Sequence, residues 1–415
     1  MAVRFILGRA GSGKTYHCLE EVRRRLVQDP MDGPRLILLV PEQASQQIEA
    51  AVLRVRPETP SPYPRTLPPR SARPTPQRGR GVLGCTLRPS AGITAAHRAE
   101  VLSFQRLAYR VLESAGGPVR QALTEPAQAM VLQHLTAQLS GSLRYYRRLE
   151  RLGGFISRLG ATVTEFIQEG VTPDELAAAG SPRRQDDPVQ EAKLHDIQAI
   201  YSAYLDYLGR GLLDPHQNLR LARECFDQCA WLHGAEVWVD GFASLSGEEI
   251  RTLLALARLS ARTEITVLVD PRLCVGPVGR PPDDIAALFA KTLKTYRELH
   301  GFLADSGLRI ADPVILDGGA PPRFRRSASL ARLERSLFRP APQPDVETSS
   351  EDIELVELPS RRIEVDYAVS RVCRWVQRSN APYRYRDVAI IARDLEPYHD
   401  LLTEALQSRG IPFFI

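Results

Sequence analysis

The chain contains no C-x-x-C pair: its six cysteines stand at 18, 85, 225, 229, 274 and 373. That absence excludes the paired-cysteine zinc sites and the thioredoxin-type redox motif. Only Cys225 and Cys229 are close, four apart in a stretch of helical pattern. Small core residues are the plain reading there, against a metal-ligand pair. No run of 18 apolar residues occurs, so no membrane-spanning helix is expected. The apolar stretch at the start is short and breaks into glycines, so no secretory leader is read there. The expectation is a reduced, cytoplasmic protein. Neither sign of charge dominates: 54 Lys and Arg face 49 Asp and Glu, net +5. This is a small bias towards a polyanionic partner and nothing more. With 43% apolar and 25% charged residues among 415, the chain has room for two or three ordinary globular domains.

What is present begins at once, with "ILGRAGSGKTYH" from Ile6 to His17. Gly8-Arg9-Ala10-Gly11-Ser12-Gly13-Lys14-Thr15 matches G-x-x-x-x-G-K-[ST] without departure. The glycines let backbone N–H groups turn inward on phosphates, and the following helix adds its positive end. Lys14 would reach the β- and γ-phosphates of ATP, and the Thr15 hydroxyl would ligate Mg²⁺. The context fits: Val3–Leu7 reads as a buried strand. Lys14–Val27 reads as a helix with Cys18, Leu19, Val22 and Leu26 at three- and four-residue spacing.

The remaining pattern extends that beginning into an α/β protein. "RLILLVP" (35–41) reads as a second buried strand and 42–55 as a helix. Residues 57–92 break the pattern with nine prolines, many arginines and a single acidic residue, Glu58. They are expected to be a disordered basic insert, either a solvated loop or a nucleic-acid-binding arm. From 99 a short strand and a helix resume. Residues 121–230 read as nearly all helix. Tyr145, Leu149, Leu152 and Phe155 mark one apolar stripe; Ile197, Ile200, Tyr201, Tyr204, Leu205 and Leu208 mark another. Both are read as bundle core. "GAEVWVDGF" (234–242) and "EITVLVD" (264–270) return to strand. The predicted organisation is one parallel α/β domain from 1–120 and 231–340, interrupted by a helical subdomain at 121–230. A linker follows at 341–352. A second α/β domain then begins at 353–415, with strands at 353–358, 387–393 and 411–415 and helices at 361–378 and 395–409. Because the chain stops on an apolar strand, it is expected to be the first part of a longer protein.

An acidic residue ending an apolar strand is the usual second half of such a nucleotide site, and Asp240 in "EVWVDGF" stands at that place, as a Mg²⁺ contact with Thr15. A motor ATPase usually follows this Asp with a Glu that orients the attacking water; here Gly241 follows. Glu248 and Glu249 lie further on, at the start of the next helix, where acids compensate the helix dipole. Binding is therefore expected and turnover doubtful. Arg361 and Arg362 open a helix, where they are either arginine fingers for a γ-phosphate or two surface arginines. Gln43, Gln46 and Gln47 in "PEQASQQIE" are either phosphate-backbone contacts or a solvated face. Glu191 and Lys193 in "QEAKLHD" carry a nuclease-like E-x-K, but mid-helix, where that chemistry has no frame.

Six segments together carry a family resemblance: "FILGRAGSGKT", "LILLVPEQAS", "RAEVLSFQRLAYRVLESAGG", "AEVWVDGFASLSGEE", "YRYRDVAIIARDLEPYHDLL" and "IPFFI". With them the chain resembles the AddB family, the B subunits of bacterial AddAB ATP-dependent helicase/deoxyribonucleases, over nearly its whole length apart from 57 to about 92. The resemblance implies a superfamily 1 helicase-like P-loop frame and a partner A subunit that is the active motor. It implies work on double-strand DNA ends for recombination, with the B subunit scanning the unwound single strand. Lys14 and Thr15 match the family's ATP-binding loop, and Asp240 matches its degenerate second motif. The family's nuclease domain and iron–sulfur cluster lie beyond residue 415 and are not expected in this chain. Two other functions stay open on the residues alone. One is a non-motor P-loop kinase or nucleotide switch. The other is a DNA-binding pseudo-motor without ATP turnover.

Overall fold

The computed structural model describes residues 2–29, 32–53, 98–116, 121–147, 149, 152–179, 188–209, 212–274, 288–316, 322–325, 327–337, 352–377 and 383–415. The Pro/Arg-rich stretch 57–92 and most of the expected linker lie outside these residues. The chain divides into two compact units, residues 1–59, 87–326 and 333–343, and residues 60–86, 327–332 and 344–415.

The first unit opens with β1 (Ala2–Gly8), α1 (Lys14–Gln28), β2 (Leu36–Leu39), α2 (Ser45–Leu53), β3 (Ala99–Leu102) and α3 (Phe104–Ser114). A mainly helical stretch follows: β4 (Gln121–Ala122), α4 (Glu125–Gln138), α5 (Gly153–Glu169), α6 (Pro173–Ala179), α7 (Pro188–Leu208) and β5 (Leu212–Leu213). Then come α8 (Asn218–Glu224), β6 (Glu236–Val239), α9 (Gly247–Leu259), β7 (Arg262–Leu268), α10 (Ala290–Asp305) and β8 (Arg309–Ile315). Six strands form one sheet in the order β3-β2-β6-β7-β1-β8, with parallel pairing throughout. The strands expected around Val3–Leu7, Leu36–Val40, Val237–Asp240 and Ile265–Val269 are thus members of one sheet.

Both faces of this sheet are covered, as an all-parallel sheet requires. Alternate residues feed opposite cores. Val3, Phe5, Leu7, Ile37 and Leu39 pack with α3, α9 and α10. Ile6, Leu36, Leu38, Val40 and Trp238 pack with Cys18, Leu19, Val22 and Leu26 of α1. The 3.6-residue spacing of those four α1 residues therefore marks its buried face.

The helical stretch has a core of its own, including Leu132, Leu159, Val163, Ile200, Tyr201 and Tyr204. It is not helical throughout. Helix α5 begins only at Gly153, so Tyr145, Leu149, Leu152 and Phe155 do not share one helix, and Tyr145 and Leu152 are exposed. The reason is Asp196 of α7, whose buried carboxylate accepts N–H bonds from Arg144, Tyr145 and Tyr146 at 2.8, 2.7 and 2.9 Å. Those N–H groups are satisfied without a helical turn. At the far end, Ala222 of α8 and the following Phe226, Cys229 and Leu232 pack into the sheet's core rather than the bundle's. Cys229 is buried there as a free thiol, with Cys225 against the same core.

In the second unit, α11 (Arg361–Gln377) and α12 (His399–Ser408) pack through Val365, Val369, Leu402, Ala405 and Leu406. The strands expected at 353–358, 387–393 and 411–415 do not form. Among the described residues these segments have no ladder partner, and Leu355, Ile391 and Phe414 stand 99%, 89% and 101% exposed. A strand exists only by pairing, so an apolar alternating pattern alone does not make one. No described helix is long and apolar enough to cross a membrane.

Candidate nucleotide site

The C-terminal ends of β1, β6 and β7 lie side by side, because β7 is inserted between the other two. In open parallel sheets this is where ligands bind. The glycine loop follows β1 directly. Gly11 and Gly13 have φ of +73° and +97°, which other residues rarely adopt. A Cβ on Gly11 would also lie 2.8 Å from the Phe324 ring. Inside the loop, Lys14 Nζ donates to the Gly8 and Arg9 carbonyls at 2.7 and 2.9 Å. Burial lowers the Lys14 pKa to about 8, although Asp240 and Glu334 oppose the shift. Ser12 Oγ is buried without a hydrogen-bond partner.

Asp240, 5% exposed, follows β6 directly. Thr15 Oγ1 donates to its Oδ2 at 2.6 Å, and Thr266 Oγ1 of β7 donates to its Oδ1 at 2.6 Å. A hydroxyl and a carboxylate are the hard oxygen donors that Mg²⁺ prefers, so the pair fits such an ion. Among the described residues, no group of three or more His, Cys, Asp and Glu could hold a metal.

Arg9 contributes its backbone to the loop, while its guanidinium is engaged elsewhere. It meets Asp270 at 3.2 Å and Glu334 at 2.8 Å, and lies 5.4 Å from the Phe289 ring centre. Burial alone would push the Asp270 carboxyl up, but Arg272 and Arg9 outweigh it and hold it below the usual carboxylate range. Thr266, Asp270, Phe324 and Glu334 were not singled out by motif. Asp270 carried the signal that marked Asp240, an acid closing an apolar strand.

Both later glutamates are engaged by other partners. Glu249 closes a capping box with Ser246, and Glu248 is buried between Arg223 and Arg251. Gly241 has φ +87°, and a Cβ there would come 3.3 Å from Pro41 Cδ. The backbone after Asp240 therefore resists any side chain. Gly241→Glu should cost about 1–2 kcal/mol of stability from the left-handed backbone and should not raise ATP turnover. Thermal unfolding and phosphate release measure the two effects; a stable variant with faster turnover would contradict both.

Gln43, Gln46 and Gln47 are exposed at and just before α2. Glu191 lies 3.9 Å from Arg144, and Lys193 stands over Tyr145, both on α7. In the second unit, Arg361 stands 5.9 Å from the Tyr398 ring centre and Arg362 pairs with Glu404 at 3.2 Å.

The family model described as "ADDB, N-terminal" matches residues 5–61 and 86–334. The break in that match falls inside the Pro/Arg-rich stretch. Three curated relatives, each named as the B subunit of an ATP-dependent helicase/deoxyribonuclease, align with the whole of this chain. They come from Moorella thermoacetica (34% identical), Desulforudis audaxviator (35%) and Pelotomaculum thermopropionicum (35%). In each case the chain covers 32% of the relative, so it spans about a third of the length of the curated relatives it matches.

Proposed function

The chain belongs to the AddB family, as its N-terminal portion, and from that premise we propose that Gly8–Thr15 is a P-loop that binds ATP with Mg²⁺. In this reading the chain is the ATP-binding, helicase-like part of a helicase/nuclease subunit. It acts with an A subunit on DNA ends in recombinational repair, in the cytoplasm. The single observation that carries the nucleotide assignment is the 2.6 Å hydrogen bond between Thr15 and Asp240, which joins the loop to the acid ending β6.

Each residue has a definable part. The loop's N–H groups and Lys14 receive the phosphate charge, and a protonated Lys14 is favoured once that charge is close. Thr15 and Asp240 would hold Mg²⁺, which when bound neutralises charge between the β- and γ-phosphates. Arg9 fixes the loop from behind, through Asp270 and Glu334.

Binding with little turnover is the form of the proposal that the site favours. Gly241 leaves no carboxylate beside Asp240, and Glu248 and Glu249 are committed to other partners. The test is titration with a fluorescent ATP analogue in Mg²⁺. Lys14→Ala should weaken binding by about 1–3 kcal/mol, roughly 5- to 150-fold, as loss of a charge-assisted contact does. Unchanged affinity would remove the assignment. Robust turnover stimulated by single-stranded DNA, and lost in Lys14→Ala, would instead make this site a working motor.

A further inference from the structure

Strand β7 carries a polar residue that its fold does not require. Thr266 lies between Ile265 and Val267 in a parallel strand buried on both faces and is itself only 6% exposed. A valine of the same shape would serve that strand as well, without a hydroxyl to desolvate. Among the described residues the hydroxyl has one partner: it donates to Asp240 Oδ1 at 2.6 Å. The pairing Val239↔Ile265 of neighbouring parallel strands places Asp240 beside Thr266 at the next step.

Asp240 in turn has an unusual set of neighbours. It is nearly buried, yet among the described residues no Lys, Arg or His lies within ion-pair distance of it; its partners are the hydroxyls of Thr15 and Thr266. The two bonds divide the carboxylate. One oxygen is tied to the sheet through Thr266, and the other is turned to the loop. Lys14 acts on the carboxylate through space without direct contact, and a buried carboxylate with no direct ion pair is costly unless something compensates it. Four residues further along, Asp270 holds Arg9 of the same loop. One strand and the turn after it thus steady both sides of the site.

We infer that Thr266 is a positioning residue for Mg²⁺-dependent nucleotide binding: it locks the Asp240 carboxylate so that one oxygen stays aimed at Thr15. The inference rests on the proposed nucleotide site and names a residue that no sequence motif marks. Groups that orient a metal ligand typically change metal affinity by about 10–100-fold when removed.

The test compares affinity of the full chain for a fluorescent ATP analogue in Mg²⁺ and in EDTA, with thermal unfolding alongside. In wild type, Mg²⁺ should tighten binding. In Thr266→Val this Mg²⁺-dependent gain should fall about 10-fold or more, while affinity in EDTA stays within about 2-fold. Thr266→Ser, which keeps the hydroxyl, should retain the gain. Thr266→Cys, a weak donor of similar size, provides the same test if the valine variant does not fold, and should lose most of the gain. A full Mg²⁺ gain in the valine or cysteine variant overturns the inference and leaves the nucleotide site standing. Equal weakening in Mg²⁺ and EDTA, with a lower unfolding temperature, also overturns it by making Thr266 merely structural. If wild type binds no nucleotide, or Lys14→Ala changes nothing, the site itself falls and the inference falls with it.

Discussion

Glu264→Ala is expected to destabilise the first unit by about 3–5 kcal/mol, the range for removing one partner of a buried ionic cluster. Glu264 lies in β7 with a fully buried side chain. It accepts from Trp238 Nε1 at 3.0 Å and from Arg262 Nε at 3.2 Å, and His17 Nε2 is 3.8 Å away. Alanine would leave the buried indole N–H without its acceptor and Arg262 with only its longer contact to Glu21, at 3.8 Å. The effect should reach the proposed nucleotide site, because His17 belongs to α1 and Trp238 stands two residues before Asp240. Burial alone would push the Glu264 carboxyl up, but the contacts with His17 and Arg262 outweigh it and hold the pKa at about 2. A carboxyl depressed in the folded state stabilises above its unfolded value, near 4.5, and that contribution is lost as pH falls towards 2. Chemical denaturation between pH 7 and pH 2 should show the wild-type advantage over Glu264→Ala shrinking in that window. An advantage independent of pH would contradict the ionic account.

The second large effect belongs to the helical stretch. Asp196→Ala should cost about 3–5 kcal/mol, because the N–H groups of Arg144, Tyr145 and Tyr146 lose their common acceptor. Asp196 is fully buried and also meets His195 Nδ1 at 3.1 Å. Burial pushes its carboxyl up, and the hydrogen bonds more than offset this, so its pKa stays below 3.8. The stabilisation is therefore present above pH 3.8 and is lost as pH falls through the lower folded value. Hydrogen exchange at residues 144–146 should accelerate in the variant well before exchange in β1 or β7 changes. Protection that is unchanged at those three amides would show that the loop is held by something else.

The local elements of the proposed nucleotide site were legible in the sequence because each has a local cause. Glycines at 11 and 13 meet a demand for positive φ. The helix after them is written in the spacing of Cys18, Leu19, Val22 and Leu26. Asp240 was marked by its place after an apolar strand. Glu248 and Glu249 were legible as acids at a helix start; the capping box of Glu249 with Ser246 is what the structure adds. What lay beyond the sequence depends on partners far apart in the chain. The insertion of β7 between β6 and β1 is a choice of strand neighbours, and a parallel strand's pattern does not say beside which strand it lies. That choice brings Thr266 to Asp240, and the folding of the chain after β8 brings Glu334 to Arg9. The failure of 353–358, 387–393 and 411–415 to become strands has the same origin, since an apolar run becomes a strand only when another backbone supplies its hydrogen bonds. The false stripe at Tyr145–Phe155 was decided by one buried carboxylate from α7, more than forty positions away. Sequence alone determined the loop, its helix and the acid opposite; tertiary structure decided which side chains hold them, because a hydrogen bond or ion pair requires proximity in space and not along the chain.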